Sequence, residues 1–181
     1  FPTRRSSDLA YDHAKAMEVT ESFFWTFTDD YLELVKERAY DASNPEQGSA
    51  AAALRIALTG LLRLFAPVLP FATEESWSWF AEGSVHRASW PREDELPDAG
   101  DTGVLTTASA ALIGIRRAKT DAKASQKTEV TSCVIAAPAA SRAWLEAASA
   151  DLKAVGRIHS LDIAEGAEVA VTSIGLAPTS E

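Results

Sequence analysis

The stretch that decides the fold is LRLFAPVLPFATEESWSWF, residues 62–80. A leucine-rich helical segment runs into Pro67 and Pro70 and restarts at once as an acidic, tryptophan-rich one. Pro67 biases Ala66 away from the helical region, and Pro70 keeps the connection extended. Thr73 is then placed to cap the next helix, with Glu74 and Glu75 at its positive N-terminal end. Trp77, Phe80 and Ala81 form the inward stripe of that helix. The reading is a tight αα corner that packs two apolar helices into a bundle.

Upstream, residues 49–65 read as helix. Leu54, Leu58, Leu61, Leu62 and Phe65 mark its core face, and Arg55, Thr59 and Arg63 its outer one. DASNPEQG (41–48) is dense in turn formers and reads as a loop. Residues 10–40 are helical in pattern, with Met17, Phe24, Phe27, Tyr31, Leu34 and Val35 on one stripe. Thr28-Asp29-Asp30 is either a kink or a fresh N-cap, so this is one helix or two.

Downstream, SVHRASWP (84–91) reads as a short extended segment. REDELPDAGDTG (92–103) reads as a linker and a domain boundary. Residues 104–124 are helical and 130–136 β-rich. Residues 139–157 are helical, with Trp144, Leu145, Leu152 and Val155 inward. Residues 158–163 and 169–174 read as strands around a Glu165-Gly166 turn. The expected fold class is mainly α: an antiparallel helical bundle over residues 10–98, then a small α+β module over 99–181. FPTRRSSDL (1–9) reads as a sequencing adapter translated in frame, the alternative being a disordered natural tail. It stays out of the fold reading. On the adapter reading the chain is the C-terminal piece of something longer.

A net charge of -9 argues against a general affinity for nucleic acid from bulk charge and leaves room for a local basic patch. Cys133 is the single cysteine, so no intrachain disulfide forms, which fits a reducing compartment. His13, His86 and His159 are far apart in sequence and offer no zinc spacing with one cysteine. No signal-peptide pattern occurs, and no apolar run approaches membrane-spanning length. Neither a glycine-rich phosphate loop nor a G-x-S-x-G elbow is present. Asp29-Asp30 and Glu74-Glu75 are sequence neighbours, which point apart on a helix and make poor acid–base pairs.

Two features carry possible chemistry. Trp25, Asp29 and Lys36, spaced by four and seven, lie opposite the core stripe of the first helix. A tryptophan on a polar face either stacks on an unpaired base, with donors and acceptors beside it reading the base edge, or packs under a neighbouring element. The second is IRRAKTDAKASQK (115–127). Arg116, Lys119, Lys123 and Lys127 recur at steps of three and four, with Arg117 beside them. This is the concentrated positive patch of an acidic chain, suited to a phosphate backbone or simply solvated.

FFWTFTDDYLELVKERAY (23–40), LLRLFAPVLPFATEESW (61–77) and SVHRASWP (84–91) together resemble the anticodon-binding domain of class I aminoacyl-tRNA synthetases. The resemblance is to the subgroup serving valine, isoleucine, leucine and methionine, and the leucine helix followed by P-x-x-P-F-x-T-E-E-x-W carries it. Tyr31-Leu32-Glu33 with Lys36, and the IRRAK helix leading into a small α/β module, look most like the valyl enzymes. Thr28 and Asp30 depart from the cysteine and tryptophan that many of those carry. The H-I-G-H and K-M-S-K-S signatures are absent, and KASQK (123–127) matches the second only at Lys123 and Ser125. The heptads of a C-terminal coiled-coil arm are also absent.

The resemblance implies a cytoplasmic parent that joins valine to tRNA using ATP and Mg²⁺. Within it this chain selects the tRNA, needs no cofactor of its own and has no catalytic residue. The partners it implies are a valine-accepting tRNA and the parent's catalytic domain, with no membrane and no DNA. It implies tRNA contact by Trp25, Asp29, Tyr31, Glu33 and Lys36, with Tyr31 and Glu33 alternatively bracing the fold. It also implies backbone contact by Arg116, Arg117 and Lys119. Phe71, Thr73, Glu74 and Trp77 read as structural. The alternatives are the isoleucyl, leucyl or methionyl counterpart, or a helical protein-interaction bundle with no RNA role.

Overall fold

A computed structural model describes residues 12–97 and 100–177. The 1–9 segment, for which an adapter origin is expected, lies outside the described residues. In chain order the elements are α1 (His13–Thr26), a π turn (Phe27–Tyr31), α2 (Leu32–Tyr40), α3 (Gln47–Phe65) and α4 (Pro70–Ser78). Two short 3-10 turns follow, Val85–Arg87 and Glu93–Glu95. Then come α5 (Thr102–Asp121), β1 (Val130–Ala137), α6 (Ala139–Ala147), α7 (Ser149–Gly156), β2 (Ile158–Glu165) and β3 (Ala170–Leu176). The fold is mainly α, a helical bundle followed by an α+β module. The described residues divide into two compact units, 12–29 with 42–97 and 30–41 with 100–177. The sequence reading assigned all of 10–98 to one domain; the second half of its first helix, 30–41, groups instead with the C-terminal unit.

In the first unit, Asp12 caps α1 by accepting from the Lys15 amide at 3.0 Å. Thr28-Asp29-Asp30 is not a fresh N-cap: the chain stays helical through a π turn, and no side chain caps α2. The Thr28 hydroxyl donates to the Phe24 carbonyl at 3.0 Å, a back-bond of the kind that distorts a helix. α3 begins at Gln47, whose amide donates to the Asn44 carbonyl at 3.0 Å, so the helix starts two residues before the expected Ser49. α3 buries Ala50, Leu61, Leu62 and Leu64, while Leu58, expected in the core, is 43% exposed.

α3 also corrects the expectation about apolar runs. It has 19 residues, and an 18-residue window of it reaches a mean hydropathy of 1.3, long and apolar enough to cross a membrane by length and composition. The four alanines at 50–53 supply apolar length that leucine spacing does not reveal. Arg55 sits at the middle of the helix, where a bilayer would cost about 2.5–3.5 kcal/mol.

The corner after α3 closes through the Val68 and Leu69 amides, which donate to the Phe65 carbonyl at 2.9 and 2.8 Å. Pro70 does not prolong an extended link. It is the first residue of α4, where its fixed φ suits a helix and its missing N–H costs nothing. Thr73 is therefore inside α4 and not its cap: it is buried, and its hydroxyl donates to the Leu69 carbonyl at 2.8 Å. Glu74 accepts from the Ser84 hydroxyl at 2.9 Å and the Val85 amide at 3.0 Å, which curls 85–87 into a 3-10 turn where an extended segment was expected. Val85 then joins Leu62 and Ala66 in a buried cluster against which Trp77 and Phe80 pack. Phe24 stands edge-on to Phe65 with centroids 5.7 Å apart. Arg63 ties in the acidic stretch that follows, donating to the Ser89 carbonyl at 3.3 Å and pairing with Glu95.

In the second unit the strand order is β2-β1-β3. β1 runs parallel to β2 and antiparallel to β3, with Cys133 opposite both Leu161 and Ile174. The two last strands therefore do not pair around Glu165-Gly166; each flanks β1. A parallel β1–β2 pair needs a long crossover, and α6 and α7 supply it, breaking at Ala148 the single helix expected over 139–157. Leu112 and Ile115 of α5, Val130, Cys133 and Ile135 of β1, Leu145 of α6 and Leu152 of α7 are fully buried. Leu34 and Val35 of α2 are buried too, and Arg38 pairs with Asp151 of α7 at 3.1 Å. Trp144 donates its indole N–H to Asp101, the cap of α5. Gly103 makes room for that ring, since a Cβ there would lie 2.5 Å from it.

Candidate nucleic-acid interface

The residues expected to contact RNA divide between the two units. In the first, Trp25 is 53% exposed although it lies in a helical hydrophobic segment. Its indole N–H donates to Glu21 at 3.3 Å, one turn earlier, and Phe24 abuts it edge-on at 5.1 Å. A large ring held from one edge and open to solvent is the arrangement that base stacking requires. Asp29, four residues on, is exposed in the middle of the π turn.

In the second unit, Glu33 sits between two cations. Its carboxylate accepts from Lys36 at 2.9 Å and lies 3.4 Å from the Arg116 guanidinium. All three are partly exposed, so Lys36 and Arg116 form a cationic surface with a carboxylate inside it. Sequence spacing linked Lys36 to Trp25 and Asp29. The structure joins it to Arg116, 80 positions away, through Glu33. Tyr31 is half-buried, and burial raises its hydroxyl above the ordinary 10.0, with Arg38 opposing and Asp151 adding. Burial likewise raises Asp151, against the attraction of Arg38.

The basic run is not one helical face. α5 ends at Asp121, Lys123 adopts a left-handed conformation (φ 54°) and Lys127 lies in the loop beyond. Lys119 is 1% exposed. Its ammonium donates to the carbonyls of Gln126, Thr128 and Gly156 at 3.0, 2.8 and 2.9 Å. An ammonium has three protons, and here all three are taken by backbone oxygens. Lys119 is thus removed from the phosphate-contact set: it is an interior clamp. Burial lowers its pKa first, and the nearby Arg157 lowers it further. The signal was in the sequence, because Ala108, Ala111, Leu112, Ile115 and Lys119 continue one buried stripe at helical spacing. Arg117 remains on the surface and lies 3.8 Å from Asp121. Among the described residues no group of three His, Cys, Asp or Glu side chains is placed to hold a metal ion.

A bundle corner built on P-x-x-P-F-x-T-E-E-x-W, an exposed tryptophan and separate cationic surfaces fit the class of anticodon-binding domains. The chain belongs to that class: residues 6–135 match the family described as the anticodon-binding domain of tRNA ligase. Its relatives include the valine--tRNA ligase of Leifsonia xyli subsp. xyli, 57% identical over 95% of this chain and 20% of that protein. The valine--tRNA ligases of Cutibacterium acnes and Thermobifida fusca are each 48% identical, over 87% and 94% of this chain. The chain thus spans about a fifth of the length of the curated relatives it matches.

Proposed function

We infer that this chain recognises the anticodon stem-loop of a valine-accepting tRNA, as the C-terminal part of a valine--tRNA ligase in the cytoplasm. The observation that carries the reading is the family match together with relatives bearing that one name over nearly the whole chain. Trp25 stacks on an unpaired anticodon base, with Asp29 beside it as an acceptor. Lys36, Arg116 and Arg117 meet the phosphate backbone. Glu33 sets the positions of Lys36 and Arg116. ATP and Mg²⁺ belong to the activation of valine by the longer protein, and no step of the reading runs through them on this chain. Val68, Leu69, Phe71 and Trp79 are exposed at 53%, 48%, 88% and 73%, an apolar corner that supports contact with the catalytic body.

The test is titration of a fluorescently labelled anticodon stem-loop of valine tRNA. Base–aromatic stacking contributes about 1–3 kcal/mol, so Trp25→Ala is expected to raise Kd about 5- to 150-fold with the melting temperature held. A folded Trp25→Ala chain with unchanged Kd would remove Trp25 from the interface. Stem-loops with isoleucine, leucine or methionine anticodons, run beside it, separate the valyl reading from its counterparts.

A further inference from the structure

Lys123 and Arg157 are the non-glycine residues with positive φ among those described, at 54° and 52°. Left-handed backbone costs an L-residue free energy that glycine avoids, so glycine is the conformational choice at both positions. The chain has a cation at each instead. Both cations lie at the Lys119 clamp. Lys123 is in the loop that follows α5, and Arg157 directly follows Gly156, whose carbonyl Lys119 holds at 2.9 Å. Lys127 lies between Gln126 and Thr128, the other two residues whose carbonyls Lys119 holds.

The loop has further ties. Gln126 donates its amide to the Arg116 carbonyl at 3.1 Å, and the Ala124 amide donates to the Lys119 carbonyl at 2.9 Å. Lys123, Lys127 and Arg157 are all exposed. Among neighbouring carboxylates, Glu129 lies against His159 at 3.4 Å and Asp121 against Arg117 at 3.8 Å. Gathering exposed cations around a buried one opposes folding by like-charge repulsion, and a polyanion relieves it.

We propose that Lys123, Lys127 and Arg157 form a phosphate-binding surface for RNA, and that buried Lys119 is the positioning residue that holds their backbone in place. The proposal rests on the reading that the partner is a tRNA. It joins two lysines of the 115–127 basic run to Arg157, which lies outside that run. Lys119 touches no phosphate; it acts by fixing residues 126, 128 and 156.

The experiment is anisotropy of this chain with a valine-accepting tRNA transcript across a salt series. A transcript with a changed central anticodon base runs beside it. Lys123→Gly/Arg157→Gly removes two cations at positions that favour glycine, so the melting temperature is expected to stay or rise. The slope of log K against log salt is expected to fall by about 2, one per lost phosphate contact. Lys119→Met, compared at a temperature where it is folded, is expected to lower the slope on its own. In the double-glycine background it is expected to lower the slope by less than it does alone. An unchanged slope in the double-glycine variant overturns the surface, and this variant decides even if Lys119→Met does not fold. A fully additive Lys119→Met effect, or none, overturns the positioning role. Equal binding to both transcripts with a slope that drops in the double-glycine variant sinks anticodon readout while upholding this surface. No binding by the wild-type chain overturns both.

Discussion

Replacing Glu33 with glutamine separates the two roles this residue can play. The carboxylate holds Lys36 at 2.9 Å and Arg116 at 3.4 Å, with its side chain 33% exposed. If Glu33 braces those cations, it also cancels part of the charge they offer to RNA. Neutralising one charge about 7 Å from a phosphate changes the interaction by roughly 0.6 kcal/mol in water and more near a protein surface. Screening over a Debye length of about 8 Å trims that. The net expectation is about 0.5–1 kcal/mol, a two- to five-fold tighter complex with a steeper salt dependence. Losing two partly exposed ion pairs costs stability, about 0.2–1 kcal/mol each. Glutamine keeps the shape of the side chain, so thermal melting should fall only slightly. The assay is anisotropy with a valine tRNA transcript at several salt concentrations, beside a melting curve. Binding ten-fold weaker in a folded Glu33→Gln chain would refute the bracing argument and make Glu33 an acceptor for a base edge.

Three further outcomes are expected. Trp77→Ala strips the wall of the Leu62–Ala66–Val85 cluster and, the ring being only partly buried, should cost about 2–4 kcal/mol by chemical denaturation while leaving RNA affinity of the folded chain unchanged. Cys133 is fully buried in β1, and burial pushes its thiol up to about 11, so thiol reagents at pH 8 should label it only as fast as the sheet opens, and rapidly in denaturant. The hydrogen bond from Arg63 holds the Glu95 carboxyl below its ordinary 4.5. The folded pKa is depressed, so the tie contributes above the unfolded value and is lost as pH falls through the folded one. The gap between the melting curves of wild type and Arg63→Gln should therefore narrow as the pH falls below the ordinary 4.5, leaving the part due to the Ser89 carbonyl.

The helices were readable where apolar spacing was strong and punctuation was local. The prolines and leucines of 62–80 gave the corner, although the proline that seemed to hold the link open turned out to start α4. Thr73 misled because a threonine beside acidic residues has the same composition whether it caps a helix or back-bonds within one. Strand existence was legible from β-branched runs, but the placement of β1 between β2 and β3 was not, since pairing is decided by long-range burial. The site was legible in types and not in partners. Trp25 was read on the face opposite the core stripe, and that exposure is what the structure shows. Lys119 was misassigned because charge was weighed ahead of its place on the buried stripe of α5. Arg157 carried no sequence signal at all, because its left-handed backbone arises where α7 ends against β2.

The measurement that tests the central claim most directly is the affinity of this chain for a valine tRNA transcript against one differing only at the central anticodon base. A mismatch that leaves a base edge unpaired costs about 1–3 kcal/mol, and the account expects the unchanged transcript to bind at least five-fold tighter at every salt concentration. Equal affinity for the two transcripts, falling together as salt rises, would contradict anticodon recognition by this chain.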